Sequence, residues 1–280
     1  MNVDMKKVNG ALVSFAKVVN SSKAIRQVTA AEKLKVGVDL GTSSIVITIL
    51  DKDNNPIYGA YEYANAVQDG IVVNYLESVS ILQRLKEKAE GVLERELTTA
   101  CGAIPPGTGE GSAKIVSNVI EAAGMECTKI VDEPTAAGQF LHISEGTVVD
   151  IGGGTTGLSI FNQGKLIKSI DEPTGGTHMT LVLAGYHHMP YEKAELMKRN
   201  KDKENEVFPV VRPVIEKMAT IAMNAFDGKV VLPVYVVGGS TNFKEFEKAF
   251  SKVLKVDVVK PKYPQYVTPL GIAMYDNPGD

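Results

Sequence analysis

The stretch TVVDIGGGTTGLSIF, residues 147–161, decides the fold. An apolar, β-branched run leads to an acid, Asp150. A glycine-rich turn carrying hydroxyls follows, and then a second apolar run, which together predict a β-hairpin. Residues 36–50, VGVDLGTSSIVITIL, repeat the plan around Asp39. Small turn residues leave backbone N–H groups open to an anion. A carboxylate at the strand end suits a hydrated magnesium ion. Two such hairpins facing each other would grip a nucleotide's phosphates from both sides.

Gly152, Gly154 and Gly157 also fit GxGxxG. That dinucleotide fingerprint needs a helix after the loop, because the helix N-terminus holds the pyrophosphate. Here residues 158–161, LSIF, predict a strand that ends at the Asn162-Gln163-Gly164 turn. The Rossmann reading is therefore rejected. A kinase glycine loop does join two strands, but the sequence has no HRD or DFG triplet and no Walker A loop.

The 280 residues allow about two domains, and 44% hydrophobic content supports a sizeable core. A net charge of −3 without a basic tract argues against a nucleic-acid partner. No apolar run approaches the roughly 20 residues of a transmembrane helix. Cys101 and Cys127 fall in strand-like contexts and are expected as reduced thiols rather than a disulfide or metal pair. His187 and His188 are adjacent, without ligand spacing around them.

Residues 1–34 form an N-terminal extension. Val8, Leu12, Phe15 and Val19 recur at helical spacing, and Lys17 cuts the apolar run too short for a secretory signal. A helix packed on the body, a membrane-surface contact and a docking peptide all fit this pattern. Beyond the first hairpin come a strand at 57–63, an Asp69-Gly70 turn, a helix over 76–97, a strand at 97–104, a helix over 112–123, a strand at 128–131 and a helix over 135–142. The order then restarts. The second hairpin is followed by a strand at 165–170, a polar turn at 173–178 and helices at 180–185, 191–199 and 207–225. A strand at 230–237, a helix at 242–254, a strand at 256–259 and a helix at 269–276 complete it. CGAIPP at 101–106 corresponds to VGGSTN at 237–242, and DEPTAAGQF at 132–140 to YVTPLGIAMY at 266–275. Four landmarks in the same order indicate an internal duplication.

Five motifs in this order carry a resemblance to the actin-like ATPase superfamily over residues 35–276. VGVDLGTSS resembles its first phosphate motif and VVDIGGGTT its second. IVDEPTAAG and TPLGIAMY resemble its connecting motifs, and VYVVGGST its adenosine motif. The resemblance is closest to an ethanolamine-utilisation branch of that superfamily. It implies an α/β chain of two duplicated RNase-H-like domains with minimal insertions and a nucleotide cleft between them. One domain would span 35–143 with 266–277 as a returning C-terminal helix, the other 144–265.

Carried over, ATP and Mg2+ are the implied cofactors. Asp39 and Asp150 would hold magnesium through water, and Glu133 would orient the attacking water. Thr42 and Ser43, beside Gly41, would meet the β-phosphate. Gly153, Gly154, Thr155 and Thr156 would wrap the γ-phosphate, with Gly152 beside them in the cofactor site. Gly238, Gly239 and Ser240 would pack on the adenosine, with Glu192 and Lys193 reaching the adenine or ribose. Phosphoryl transfer asks for such positioning, backbone donors and an oriented nucleophile rather than covalent help.

The pattern departs from DnaK-type and MreB proteins at Gly157, where those carry an acid. Residues 69–97 leave room for little beyond one helix, so no equivalent of the DnaK-type catalytic lysine is found. Slow hydrolysis, or binding without useful turnover, is expected. Four functions stay open on the sequence. One is an ATP-dependent chaperone-like or reactivase-like factor acting on a protein of ethanolamine catabolism or a bacterial microcompartment in the cytoplasm. The others are an MreB-like filament or scaffold that self-associates, a small-molecule kinase, and a pseudo-ATPase that binds no nucleotide.

Overall fold

The computed structural model describes residues 3–68, 70–226 and 230–278. The chain begins with helix α1 (Met5–Ala16), whose N-cap Asp4 carboxylate accepts from the N–H groups of Lys6 and Lys7. Its apolar face, Val8, Leu12 and Phe15, is buried. Of the three readings of the extension, the structure shows the helix packed on the body.

Three antiparallel strands follow, β1 (Leu34–Leu40), β2 (Ser44–Asp51) and β3 (Pro56–Tyr63). The Phe15 ring lies over Gly59 of β3, where a Cβ would collide with it. Between α1 and β1 the chain runs beside β3, bonded to it through Asn20, which brackets the Tyr61 backbone with its amide, and through Ile25 N–H to Ile57 O. Strands β4 (Val67–Gln68) and β5 (Ile71–Val72) form a small antiparallel pair. Asp69 of the expected turn between them lies outside the described residues, and Gly70 has φ +76°. Helix α2 (Tyr75–Leu93), strand β6 (Thr99–Ile104), helix α3 (Gly109–Ala122), strand β7 (Glu126–Asp132) and helix α4 (Glu133–Leu141) complete the first half.

The second half repeats the pattern. Strands β8 (Gly146–Ile151), β9 (Thr156–Asn162) and β10 (Lys165–Glu172) are antiparallel. Helices α5 (Gly176–His187), α6 (Tyr191–Arg199) and α7 (Glu204–Ala225) lead to β11 (Val234–Val237), α8 (Phe246–Leu254), β12 (Val258–Val259) and α9 (Val267–Ala273). The sheets have matching orders, β3-β2-β1-β6-β7 and β10-β9-β8-β11-β12. In each, three antiparallel strands continue into two parallel ones.

One core cluster runs from α1 through the first sheet to Val148, Phe161 and Tyr235 of the second. A second fills the space between the second sheet and α5, α7 and α8, and a third, smaller one joins Ala136 of α4 to Ile272 of α9. The halves meet where α4 crosses α9. A Cβ on Gly271 would collide with the Ala136 backbone, so the close crossing requires glycine there. Beyond α9, the buried Asp276 carboxylate accepts from Val36 N–H, Thr99 Oγ1 and Thr128 Oγ1, which fastens the chain's end onto β1, β6 and β7.

Several element limits differ from the sequence expectation for identifiable reasons. The strand expected at 230–237 is confined to Val234–Val237, since Pro233 has no N–H to give the ladder; residues 227–229, just before that expected strand, lie outside the described residues. The helix expected from 242 starts at Phe246, because Thr241 Oγ1 and Asn242 Nδ2 bond back to Gly238 O and Gly239 O and hold a tight turn there. The polar turn expected at 173–178 becomes helix from Gly176 onward. Helix α7 starts at Glu204 and carries Pro209 and Pro213 inside it; both are solvent-exposed, so the carbonyls they leave free can reach water.

Candidate functional site

Strand β1 delivers Asp39 to its C-terminal end and β8 delivers Asp150 to the equivalent place. Asp39 stands opposite Val46 in its hairpin and Asp150 opposite Gly157. The two turns close with the same hydrogen bond: Gly41 N–H to Ser44 O at 3.0 Å, and Gly152 N–H to Thr155 O at 3.1 Å. The turns face each other in contact. A Cβ on Gly153 would strike the Ser43 hydroxyl and stand 3.2 Å from Ser43 N.

The second turn is also held from behind. Gly176 N–H donates to Gly152 O at 3.0 Å and Thr177 N–H to Gly153 O at 2.8 Å. Ser240 Oγ donates to Gly152 O at 2.7 Å. With its carbonyls bonded there, the turn keeps its N–H groups as the remaining polar edge. Gly238, at φ +91°, wraps Asp150 so closely that a Cβ would collide with the carboxylate and with Ile151 O.

Three carboxyls converge where the turns meet. Burial, then the Asp150 charge, pushes Asp39 up to about 7. Glu133, the first residue of α4, is raised well above the usual carboxylate range by burial, then by Asp39 and Asp150. Burial raises Asp150 as well, opposed by the Thr268 hydroxyl, which donates to Asp150 Oδ2 at 2.5 Å. Like charges so close call for protons or a cation. The donor set is hard oxygen, which fits Mg2+. Among the described residues no three acid, histidine or cysteine side chains are close enough to hold a metal directly.

A single cavity of about 380 Å³ collects most of the residues expected from sequence. Asp39, Gly41, Thr42, Ser43, Glu133, Asp150, Gly152, Gly153, Gly154, Thr155, Gly238, Gly239 and Ser240 all line it. Three expected residues do not. Thr156 is buried in β9 with its hydroxyl given to Thr174 O at 2.5 Å. Glu192 and Lys193 lie exposed on the outer face of α6.

In place of those two, Glu195, Lys198 and Arg199 face the cavity, a helical turn further along α6. The Lys198 ammonium donates to Gly176 O at 2.9 Å and Thr180 Oγ1 at 2.7 Å, and pairs with Glu195 at 2.7 Å. Burial lowers the Lys198 pKa. Burial pushes Glu195 up, but Lys198 outweighs it, and the Glu195 pKa is lowered. The Arg199 guanidinium stacks over the Tyr63 ring of β3 at 3.7 Å, a contact across the cleft mouth. The period of α6 was legible in YEKAELMKR; which face turns inward was not.

The chain is 39% identical over 241 residues to the ethanolamine utilization protein EutJ of Salmonella typhimurium, covering 86% of this chain and 85% of that protein. The chain belongs to the EutJ family. The crystal structure of EutJ from Carboxydothermus hydrogenoformans superposes with a TM-score of 0.92 at 42% identity, over 97% of this chain and 99% of that one. The sequence also matches the family profile of cell division protein FtsA over residues 147–271 and that of MreB/Mbl protein over 59–194. MreB5 of Spiroplasma citri bound to AMPPNP shares the fold, with a TM-score of 0.68 at 16% identity over 85% of this chain and 94% of that one. This EutJ-family chain therefore shares its two-sheet architecture with EutJ of Carboxydothermus hydrogenoformans and its fold with MreB5. Among the described residues no helix is long and apolar enough to cross a membrane.

Proposed function

We propose that this chain is a cytoplasmic Mg-ATP switch of slow turnover, acting as a chaperone-like or reactivase-like factor on a protein of ethanolamine catabolism or its microcompartment. The observation that carries this reading is the contact between the two acid-tipped turns across one cavity, with Gly153 against Ser43. The domains would be 35–143 with 266–277, and 144–265.

Thr42, Ser43 and the N–H groups of the first turn would hold the β-phosphate, and Gly153, Gly154 and Thr155 the γ-phosphate. Asp39 and Asp150 would hold hydrated magnesium, which supplies charge neutralisation at the phosphates. Glu133 would accept a hydrogen bond from the attacking water and orient it. Gly239 and Ser240 would pack on the nucleoside, with Glu195, Lys198 and Arg199 reaching the sugar and base in place of Glu192 and Lys193.

The cations lining the cavity, Lys198, Arg199 and Lys201, all come from residues 198–201 and none from the acid-tipped turns. That distribution supports slow hydrolysis. Binding of a triphosphate between the turns would bias the angle between the halves, and a partner that prefers one angle would sense it. Isothermal titration with Mg-ATP tests the reading. Saturable binding in the parent chain, weakened at least tenfold by Asp150→Ala, is expected. Absence of binding to the folded parent chain overturns the switch.

A further inference from the structure

The turn at 152–155 is three glycines and a threonine, and glycine backbone is costly to hold in one conformation. Its support from behind is glycine too. Gly175, the N-cap of α5, has no side chain to cap the helix, and Gly176 gives its N–H to Gly152 O. Thr177 bonds Gly153 O twice, through its N–H at 2.8 Å and its Oγ1 at 2.9 Å. The two segments lie so close that a Cβ on Gly175 would collide with Gly153 O and Thr155 N. Any shift in the first turn of α5 is therefore passed to the glycine turn.

Lys198 of α6 fixes that first turn. Its three ammonium hydrogens all have protein acceptors: Gly176 O at 2.9 Å, Thr180 Oγ1 at 2.7 Å and the Glu195 carboxylate at 2.7 Å. Thr180 is fully buried, does not line the cavity and gives its own hydroxyl hydrogen to Glu195. Arg199 Nε holds the other Glu195 oxygen at 2.6 Å. Lys198 lines the cavity, but with its hydrogens spent it offers a ligand only its stem. Charge-assisted bonds of this kind are about twice as strong as neutral ones, so the ammonium is a firm prop. It also stands next to the glycine turn. A Cβ on Gly176 would lie 3.4 Å from Lys198 Nζ and 3.5 Å from Gly152 O, so ammonium and turn flank the same spot. A half-enclosed positive charge there favours negative charge in the turn.

We infer that Lys198 is a positioning residue that acts through Gly176 to hold the glycine turn in the shape that takes a γ-phosphate. The inference rests on the nucleotide reading of the cavity and deepens it. Backbone donors recognise a charge well only when they are fixed before it arrives. In that reading the β-phosphate sits on the other turn, at 41–43, and the three bonds of Lys198 all go elsewhere. Removing Lys198 withdraws support and charge from the γ-phosphate turn, so a triphosphate loses more affinity than a diphosphate. A residue that merely kept the fold would weaken both alike.

The test is equilibrium binding of Mg-AMPPNP and Mg-ADP to the full chain, to Lys198→Met and to Thr180→Val. Lys198→Met keeps the stem and removes the charge and its bonds. It is expected to lower the AMPPNP-to-ADP affinity ratio by about tenfold. Thr180→Val removes one of the three acceptors without altering a cavity-lining residue, and should lower the ratio by about threefold. A folded Lys198→Met chain with an unchanged ratio overturns the inference while the nucleotide reading stands. Where Lys198→Met does not fold, Thr180→Val decides on the same terms. Where neither folds, hydrogen exchange in the parent chain decides. The Gly176 and Thr177 N–H groups should exchange more slowly with Mg-AMPPNP than with Mg-ADP, and equal rates overturn the inference. If neither nucleotide binds the folded parent chain, the nucleotide reading falls and takes this inference with it.

Discussion

The turn at 41–43 and the turn at 152–155 share a closing hydrogen bond and a preceding acid, yet their surroundings differ. The first turn carries side chains, Thr42 and Ser43. The second is all glycine at its tip and is pressed between Ser43 on one side and Gly175 and Gly176 on the other. The acids differ in the same sense. Asp150 is held by the Thr268 hydroxyl and wrapped by Gly238. Asp39 has only burial and a neighbouring charge acting on it, and titrates near 7. Duplication thus produced one turn anchored by its surroundings and one freer to respond to what enters the cleft.

The largest test of this asymmetry lies within the glycine run. Gly153→Ala places a methyl into Ser43 and the cleft, whereas at Gly152 the nearest atom to a Cβ is Thr155 O at 3.9 Å. Gly153→Ala is expected to cost about 3 kcal/mol, and Gly152→Ala no more than about 0.5 kcal/mol, by urea unfolding. Equal costs would mean the turns do not touch.

Next is Asp39→Asn. A carboxyl raised to about 7 in the folded chain stabilises it while protonated, and that contribution is lost as pH rises from about 4 through 7. Without nucleotide, the melting temperature of the parent chain should fall over that window. Asp39→Asn should flatten the fall and be more stable than the parent at pH 8, on the order of 2 kcal/mol. A parent chain whose stability rises over the same window contradicts the crowding of the three acids.

Thr268→Val sharpens the comparison by making Asp150 more like Asp39. The loss should be about 1 kcal/mol at neutral pH. The Asp150 pKa rises once the donor is gone, so the fall in stability with rising pH should steepen. The smallest effect concerns the mouth of the cleft. A double-mutant cycle on Tyr63→Leu and Arg199→Ala should give a coupling of about 0.5 kcal/mol without nucleotide. A coupling of zero would show that the halves are not held together there.

How much was legible follows from the kind of signal. The hairpins, the order of elements and the gathering of thirteen of the sixteen expected residues at one cavity could be read because each depends on local pattern: period-two apolar runs, an acid, small turn residues. The three that do not line that cavity share a cause. Thr156 looks like a turn hydroxyl in sequence, but it is already the first residue of β9, and Thr174 takes its hydroxyl. Glu192 and Lys193 match a helix in type, but the rotation of α6 is set by packing of Ala194 against the core. Residues 176–178 belong to a helix although two glycines precede Thr177, because the Gly152 and Gly153 carbonyls accept the Gly176 and Thr177 N–H groups.

By itself the sequence determined two duplicated α/β halves, each with an acid-tipped glycine or hydroxyl turn, since strand period and turn chemistry are local properties of the chain. Only the tertiary structure decided that Gly153 meets Ser43 and that Glu195, Lys198 and Arg199 turn inward. Those outcomes depend on contacts between residues far apart in the chain, 110 positions for Gly153 and Ser43 and 136 for Arg199 and Tyr63, and such contacts are fixed by how the two sheets and their crossing helices pack.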